Sequence, residues 1–245
     1  MTVSLTKVGV LAALLMTSVA AQENWAAAET PVATTTTDVD GNTYRSVTIG
    51  SQVWMAENLK TTRYRNGDAV GTTSPATLDI NGENAPKYQW AYAGDENNAA
   101  TYGRLYTWYA VTDDRDICPT GWHVPSDDEW SILVAFLGGP EAAVGKLKET
   151  STTHWNGPNS NATNKGGFRG LPGGSRLPKG EFVNIGEMVH YWTNSEVACG
   201  AGFDSAAQQG KQCAWRRLLL NLDTNPRHRG WAIKKIGWSV RCIRD

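Results

Sequence analysis

The chain has 245 residues, 40% of them hydrophobic and 19% charged, with 23 Lys and Arg against 24 Asp and Glu. That length supports one large domain or two small ones with a real core, and the balanced charge excludes a generally basic nucleic-acid binder. Ordinary apolar content with 11 Trp also excludes a mostly disordered chain. So much Trp, with 25 Gly and only 4 Phe, points to short strands and tight turns.

Residues 1–21 read as a secretory signal peptide. Lys7 gives a weak basic start, Val8 to Val19 form an apolar run of signal length, and Val19-Ala20-Ala21 offers small residues for cleavage before Gln22. An uncleaved N-terminal anchor is the rival reading. No second apolar run of membrane-spanning length follows, so no membrane span is expected after cleavage. Residues 22–37 are Ala- and Thr-rich without apolar periodicity and read as a flexible linker, with Trp25 unexplained. An exported chain is expected to oxidise its four cysteines. Three pairings are possible. Cys199 and Cys213 flank a Gly-, Ser- and Gln-rich stretch that suits a local bridge, which leaves Cys118 with Cys242. No pair has the short spacing of a zinc site.

The domain proper is expected over 38–245. Residues 38–59 read as strand, turn, strand, with Asp40-Gly41-Asn42 and Gly50-Ser51 as turn signals. The Asp38–Asn42 run resembles a calcium loop only superficially. Its Gly sits at the fourth position and no Glu closes the loop at the twelfth, so a hairpin turn fits better and a structural calcium has no motif behind it. No other cofactor is expected. Residues 60–103 read as long polar surface loops, and 104–111 (RLYTWYAV) as a β-like aromatic segment. Ser126-Asp127-Asp128-Glu129 is a capping box, followed by Trp130, Leu133, Val134 and Leu137 at helical spacing. Gly138-Gly139 ends that helix and Pro140 opens a second. Residues 155–186 read as irregular ordered loops, with short strands from 181 onward. Strands, loops, one or two helices, loops and strands in that order make an α+β domain.

Five blocks carry a resemblance: YRSVTIGSQVWMAENLKT (44–61), YGRLYTWYAV (102–111), CPTGWHVPSDDEW (118–130), GFRGLPGGSR (167–176) and GWSVRCIRD (237–245). Together they resemble the Fibrobacter succinogenes major paralogous domain, a family found in exported and surface proteins of bacteria with no general activity established. GWHVPSDDEW is also similar to a helix start of the formylglycine-generating, sulfatase-modifying domains, which implies a C-type-lectin-like fold with few regular elements and strands near both ends. Those enzymes' closely spaced catalytic cysteines and Gly-Asn-Val-Trp-Glu-Trp segment have no counterpart here, so the resemblance implies the fold and not the activity.

Candidate chemistry is sparse. Asp113, Asp114 and Asp116 read as a turn, and Asp127, Asp128 and Glu129 as acids favoured at a helix N-terminus, rather than as the carboxylate pair of a glycosidase. His123, His154, His190 and His228 form no metal motif, and His123 reads as packed and hydrogen-bonded. Neither a nucleophile elbow nor a phosphate loop is present. Aromatic rings beside polar groups suit sugar binding. Trp90 and Tyr92 with Asp95 and Asn97, and Trp155 with Asn156, are the candidate ligand residues. Trp54, Trp108, Trp122, Trp130, Trp192 and Trp238 are assigned to the core. Acids dominate residues 79–149, 12 to 5, and bases dominate 216–244, 8 to 1. The two segments are expected to pack together and neutralise each other; a basic surface that meets an anionic glycan or the cell envelope is the rival reading. An exported, non-catalytic module binding carbohydrate or a surface protein is expected; a formylglycine-type enzyme, a hydrolase with an unrecognised site, or a structural envelope component are the alternatives.

Overall fold

The computed structural model describes residues 34–200, 212–222 and 228–245. The signal segment 1–21, Trp25 and most of the expected linker lie outside them. In chain order the elements are β1 (Thr35–Thr37), β2 (Thr43–Ile49), β3 (Gln52–Met55), β4 (Gln89–Trp90), a 3-10 turn (Tyr92–Gly94), α1 (Glu96–Tyr102), β5 (Leu105–Tyr106), α2 (Trp108–Val111), β6 (Trp122–His123), α3 (Asp127–Phe136), α4 (Pro140–Leu147), β7 (Gly173–Arg176), β8 (Phe182–Ile185), β9 (Met188–Ala198), β10 (Gln212–Leu220), β11 (Arg229–Ile233) and β12 (Ile243–Arg244). This is an α+β fold with more loop than regular structure.

β1, β2, β3, β12 and β6 form one five-stranded sheet in that order. The expected linker ends inside this sheet. Thr35, Thr36 and Thr37 pair with Arg45, Tyr44 and Thr43, because β-branched threonines suit an edge strand. The turn between these strands is built by Asp38. Its carboxylate accepts from the main-chain N–H of Asp40 (3.0 Å) and Asn42 (2.9 Å) and from the Tyr44 hydroxyl (2.6 Å). β12 inserts beside β3, so strands from both ends of the described domain share a sheet, and Cys118–Cys242 links residues 124 apart beside it.

The second sheet has the order β11-β10-β9-β7-β8, antiparallel except where β7 meets β9. Cys199–Cys213 closes the β9–β10 pair. Both expected disulfides are therefore present and all four cysteines are paired. β4 and β5 form a separate two-stranded ribbon.

α3 starts where its cap dictates. Glu129 N–H donates to Ser126 Oγ (3.2 Å) and Ser126 N–H donates to the Glu129 carboxylate (2.7 Å). Trp130, Leu133, Val134 and Leu137 are buried, and α4 follows from Pro140. The stretch 104–111 differs from its β-like reading. Only Leu105–Tyr106 are extended, and Trp108–Val111 coil into one helical turn that buries Trp108, Ala110 and Val111 together. α1 arises inside an expected loop. Asp95 caps it, yet only Ala99 of its seven residues is buried, so no apolar period marks it in the sequence.

Two buried clusters fill the interior. One joins Tyr44, Tyr106, Trp108, Trp122, Trp192 and Trp238; the other joins Trp54, Trp130, Trp155, Phe168, Tyr191 and the α3–α4 face. All six tryptophans assigned to the core are buried. Long loops also leave many carbonyls to satisfy, and buried cations do much of this. Arg241 is fully buried and donates to the carbonyls of Met55 and Phe168, and Lys148 to those of Ser160 and Leu220.

Candidate functional site

The two expected aromatic platforms are not on the surface. Trp90 and Trp155 are each 1% exposed. The Trp90 indole donates to Thr73 Oγ1 (2.9 Å), and the Arg176 guanidinium lies 4.1 Å from its ring centre. The Trp155 indole donates to the Gly170 carbonyl (3.0 Å), and its ring packs in the α3–α4 cluster. An indole face stacked on a guanidinium or closed in a core is unavailable to a sugar ring, so the stacking role expected for these two residues is corrected. Their polar sequence neighbours lie outside while the rings point inward.

Tyr92, Asp95, Asn97 and Asn156 are better placed. Asp95, Asn97 and Asn156 are exposed and Tyr92 is half-buried. Asp95 Oδ1 accepts from the main-chain and side-chain N–H groups of Asn97 (2.9 and 3.0 Å), which fixes the start of α1. The Tyr92 ring meets Phe182 edge-on at 5.3 Å. Gly174 allows this approach: at φ +68° it has no side chain, and a Cβ there would sit 2.8 Å from the Tyr92 ring. Asn156 donates its main-chain N–H to the Gly186 carbonyl (2.7 Å), just beyond β8.

Beside the 3-10 turn and α1 lies a cleft of about 420 Å³. Its wall takes Thr62, Thr72 and Thr73 from the loop before the ribbon, Gln89 and Trp90 from β4, Ala93 and Gly94 from the 3-10 turn, Glu96 from α1, and Arg104 beside β5. Arg104 organises it. Its Nε donates to the Lys60 carbonyl (3.0 Å), one terminal nitrogen donates to Gln89 Oε1 (2.9 Å), and the other pairs with Glu96. Only 11% of the Arg104 side chain is exposed, against 71% of Glu96. A fixed guanidinium, an amide and several hydroxyls around one edge of an indole can hold a polyhydroxylated ligand in one orientation.

The other titratable candidates are committed to the structure. Arg115 chelates Asp113 and holds its carboxyl well below the usual carboxylate range; Lys87 binds the same group. Asp127 is buried between Arg217 (2.7 Å) and Arg229 (2.7 Å), so acids of the first segment and bases of the second do pack together. His123 bridges Glu129 (2.9 Å) and Asp245 (2.7 Å). Burial works against its protonation, but the hydrogen bonds to Asp245 and Glu129 outweigh it and raise its pKa. His154 Nδ1 lies 2.7 Å from buried Glu149. His190 is half-buried on β9 with its ring stacked on Trp238 at 4.3 Å; desolvation and then Arg216 push its pKa well down.

The sequence reading missed Gln89, Glu96, Arg104, Thr62 and Thr72. One signal was present, since Arg104 is a lone cation directly before an aromatic strand. It also passed over Trp215 and Trp231. These two are the only tryptophans among the described residues that are not buried, and they stand directly opposite each other across β10 and β11.

A disulfide-stapled α+β domain with strands from both ends in one sheet, and a polar cleft beside a short ribbon, defines the class. The family model described as the Fibrobacter succinogenes major domain matches residues 47–244, and the chain belongs to that family. No curated protein and no solved structure matches it. No helix among the described residues is long and apolar enough to cross a membrane.

Proposed function

We propose that the protein is an exported, non-catalytic binding module that recognises carbohydrate in the cleft between the β4–β5 ribbon and α1. The observation that carries this reading is the lining of that cleft. Gln89 and Arg104 are fixed from below, Thr62 and Thr72 add hydroxyls, and Tyr92, Asp95 and Asn97 stand on the adjoining turn and helix start. Sugar hydroxyls pair with such amide, guanidinium and hydroxyl groups. Two disulfides suit the oxidising compartment that an exported chain meets. The insertion of β12 between β3 and β6, the few helices and the long ordered loops support a C-type-lectin-like architecture.

The test is depletion of the protein by cellulose, chitin, xylan and a panel of anionic glycans, followed in parallel by Trp fluorescence. Saturable binding that is lost in Gln89→Ala, and retained in Asn156→Ala, is the expected result. Absence of binding to every polysaccharide would remove carbohydrate as the ligand class.

A further inference from the structure

Glu96 and Arg104 form an unequal pair. The arginine is held by the Lys60 carbonyl and Gln89 whether or not its carboxylate partner is present. The carboxylate belongs to an exposed side chain on the first residue of α1. An exposed Glu gains little from one surface ion pair and has rotamer freedom to regain by leaving it. Beneath the same cleft, Arg176 is fully buried and satisfied by the carbonyls of Ala76, Leu177 and Leu78 and by the Trp90 ring. Carbonyls and an indole face satisfy its hydrogens, an arginine keeps its charge even when burial lowers its pKa, and Asp79, Glu83 and Glu181 act on that charge without a direct ion pair. Two fixed guanidiniums therefore lie under a cleft whose one directly paired carboxylate on Arg104 can swing out. Asp40, near Thr62, does not reverse this, because Arg63 and the Thr61 and Thr62 hydroxyls already engage it.

We infer that the cleft takes a carboxylated sugar, a uronic acid residue, whose carboxylate displaces Glu96 from Arg104. This rests on the carbohydrate reading above and makes it narrower. The position on Arg104 already receives a carboxylate, so a ligand carboxylate needs no rearrangement of the guanidinium. Gln89 and Thr72 remain for the ring hydroxyls, with Thr62 Oγ1, which donates to Asp40, left as an acceptor. Glu96 is then a built-in competitor that sets affinity without supplying any contact to the ligand.

The experiment compares galacturonate, galactose and acetate by calorimetric titration of the wild-type protein and Glu96→Ala. Galacturonate is expected to bind more tightly than galactose, and more weakly as salt rises. In Glu96→Ala its affinity rises about threefold relative to that of galactose, the size of a weak ion pair lost. Equal binding of galactose and galacturonate, with no change in the variant, overturns the displacement and leaves the carbohydrate reading standing. Acetate binding as well as galacturonate overturns the sugar part. No binding of either sugar removes both readings. Because Glu96 is exposed on a short helix, the variant folds, and melting temperature confirms this in the same sample.

Discussion

Arg217 and Arg104 show two uses of one interaction. Both are arginines with little exposed surface, and both meet a carboxylate. Arg217 meets Asp127, whose side chain is only 8% exposed and which also binds Arg229. Arg104 meets Glu96, which is 71% exposed. On the helix side the carboxylate is the fixed member. It starts α3 and ties that helix to β10 and β11, so removing it strands two cations. On the cleft side the arginine is the fixed member and the carboxylate is the part that can leave. Burial of the acid, rather than the presence of the pair, separates a structural tie from an exchangeable contact.

The largest expected effect comes from breaking the fixed tie. Asp127→Asn leaves Arg217 buried without its counter-charge and is expected to cost about 3–5 kcal/mol, read from chemical denaturation. A loss under about 1 kcal/mol would show that the two pairs do not differ in kind. Trp90→Phe comes next. It removes the indole bond to Thr73 and leaves a small void above Arg176, for about 1–2 kcal/mol. Glu96→Ala is expected to change stability by less than about 1 kcal/mol in the same assay, because its carboxylate is exposed and Arg104 keeps its bonds to the Lys60 carbonyl and Gln89.

The smallest effect is in pH. The folded state raises the pKa of His123 through Asp245 and Glu129. Its contribution is then fully present below the ordinary histidine value of about 6.5 and is lost as pH rises through the folded value. The melting temperature is expected to fall slightly more between pH 6 and 8 in the wild type than in His123→Gln. Parallel curves would remove His123 as a titrating tie between β6, α3 and the last residue.

Local signals made much of this fold legible. The capping box, the turn at Asp38–Asn42 and the Gly138-Gly139-Pro140 stop and restart are decided by neighbours a few residues apart. Both disulfides followed from cysteine spacing and the expectation of export. What escaped is set at long range. Trp90 and Trp155 sit among polar residues, which suggests exposure. Trp90 is buried because Arg176, 86 positions away, covers it, and Trp155 because its loop folds onto the α3–α4 cluster. The cleft escaped for the same reason, since its wall gathers residues from 62 to 104 through a ribbon of only two residues per strand. α1 was hidden because a helix burying one alanine leaves no period to read.

The most direct measurement is the indole N–H region of a nitrogen–proton correlation spectrum during titration with uronic acid oligomers. Trp90 is the tryptophan on the cleft wall, so its indole signal is expected to move while those of Trp130 and Trp155 stay fixed. Movement confined to Trp215 and Trp231, with Trp90 unchanged, would contradict the account and place recognition on the β10–β11 hairpin.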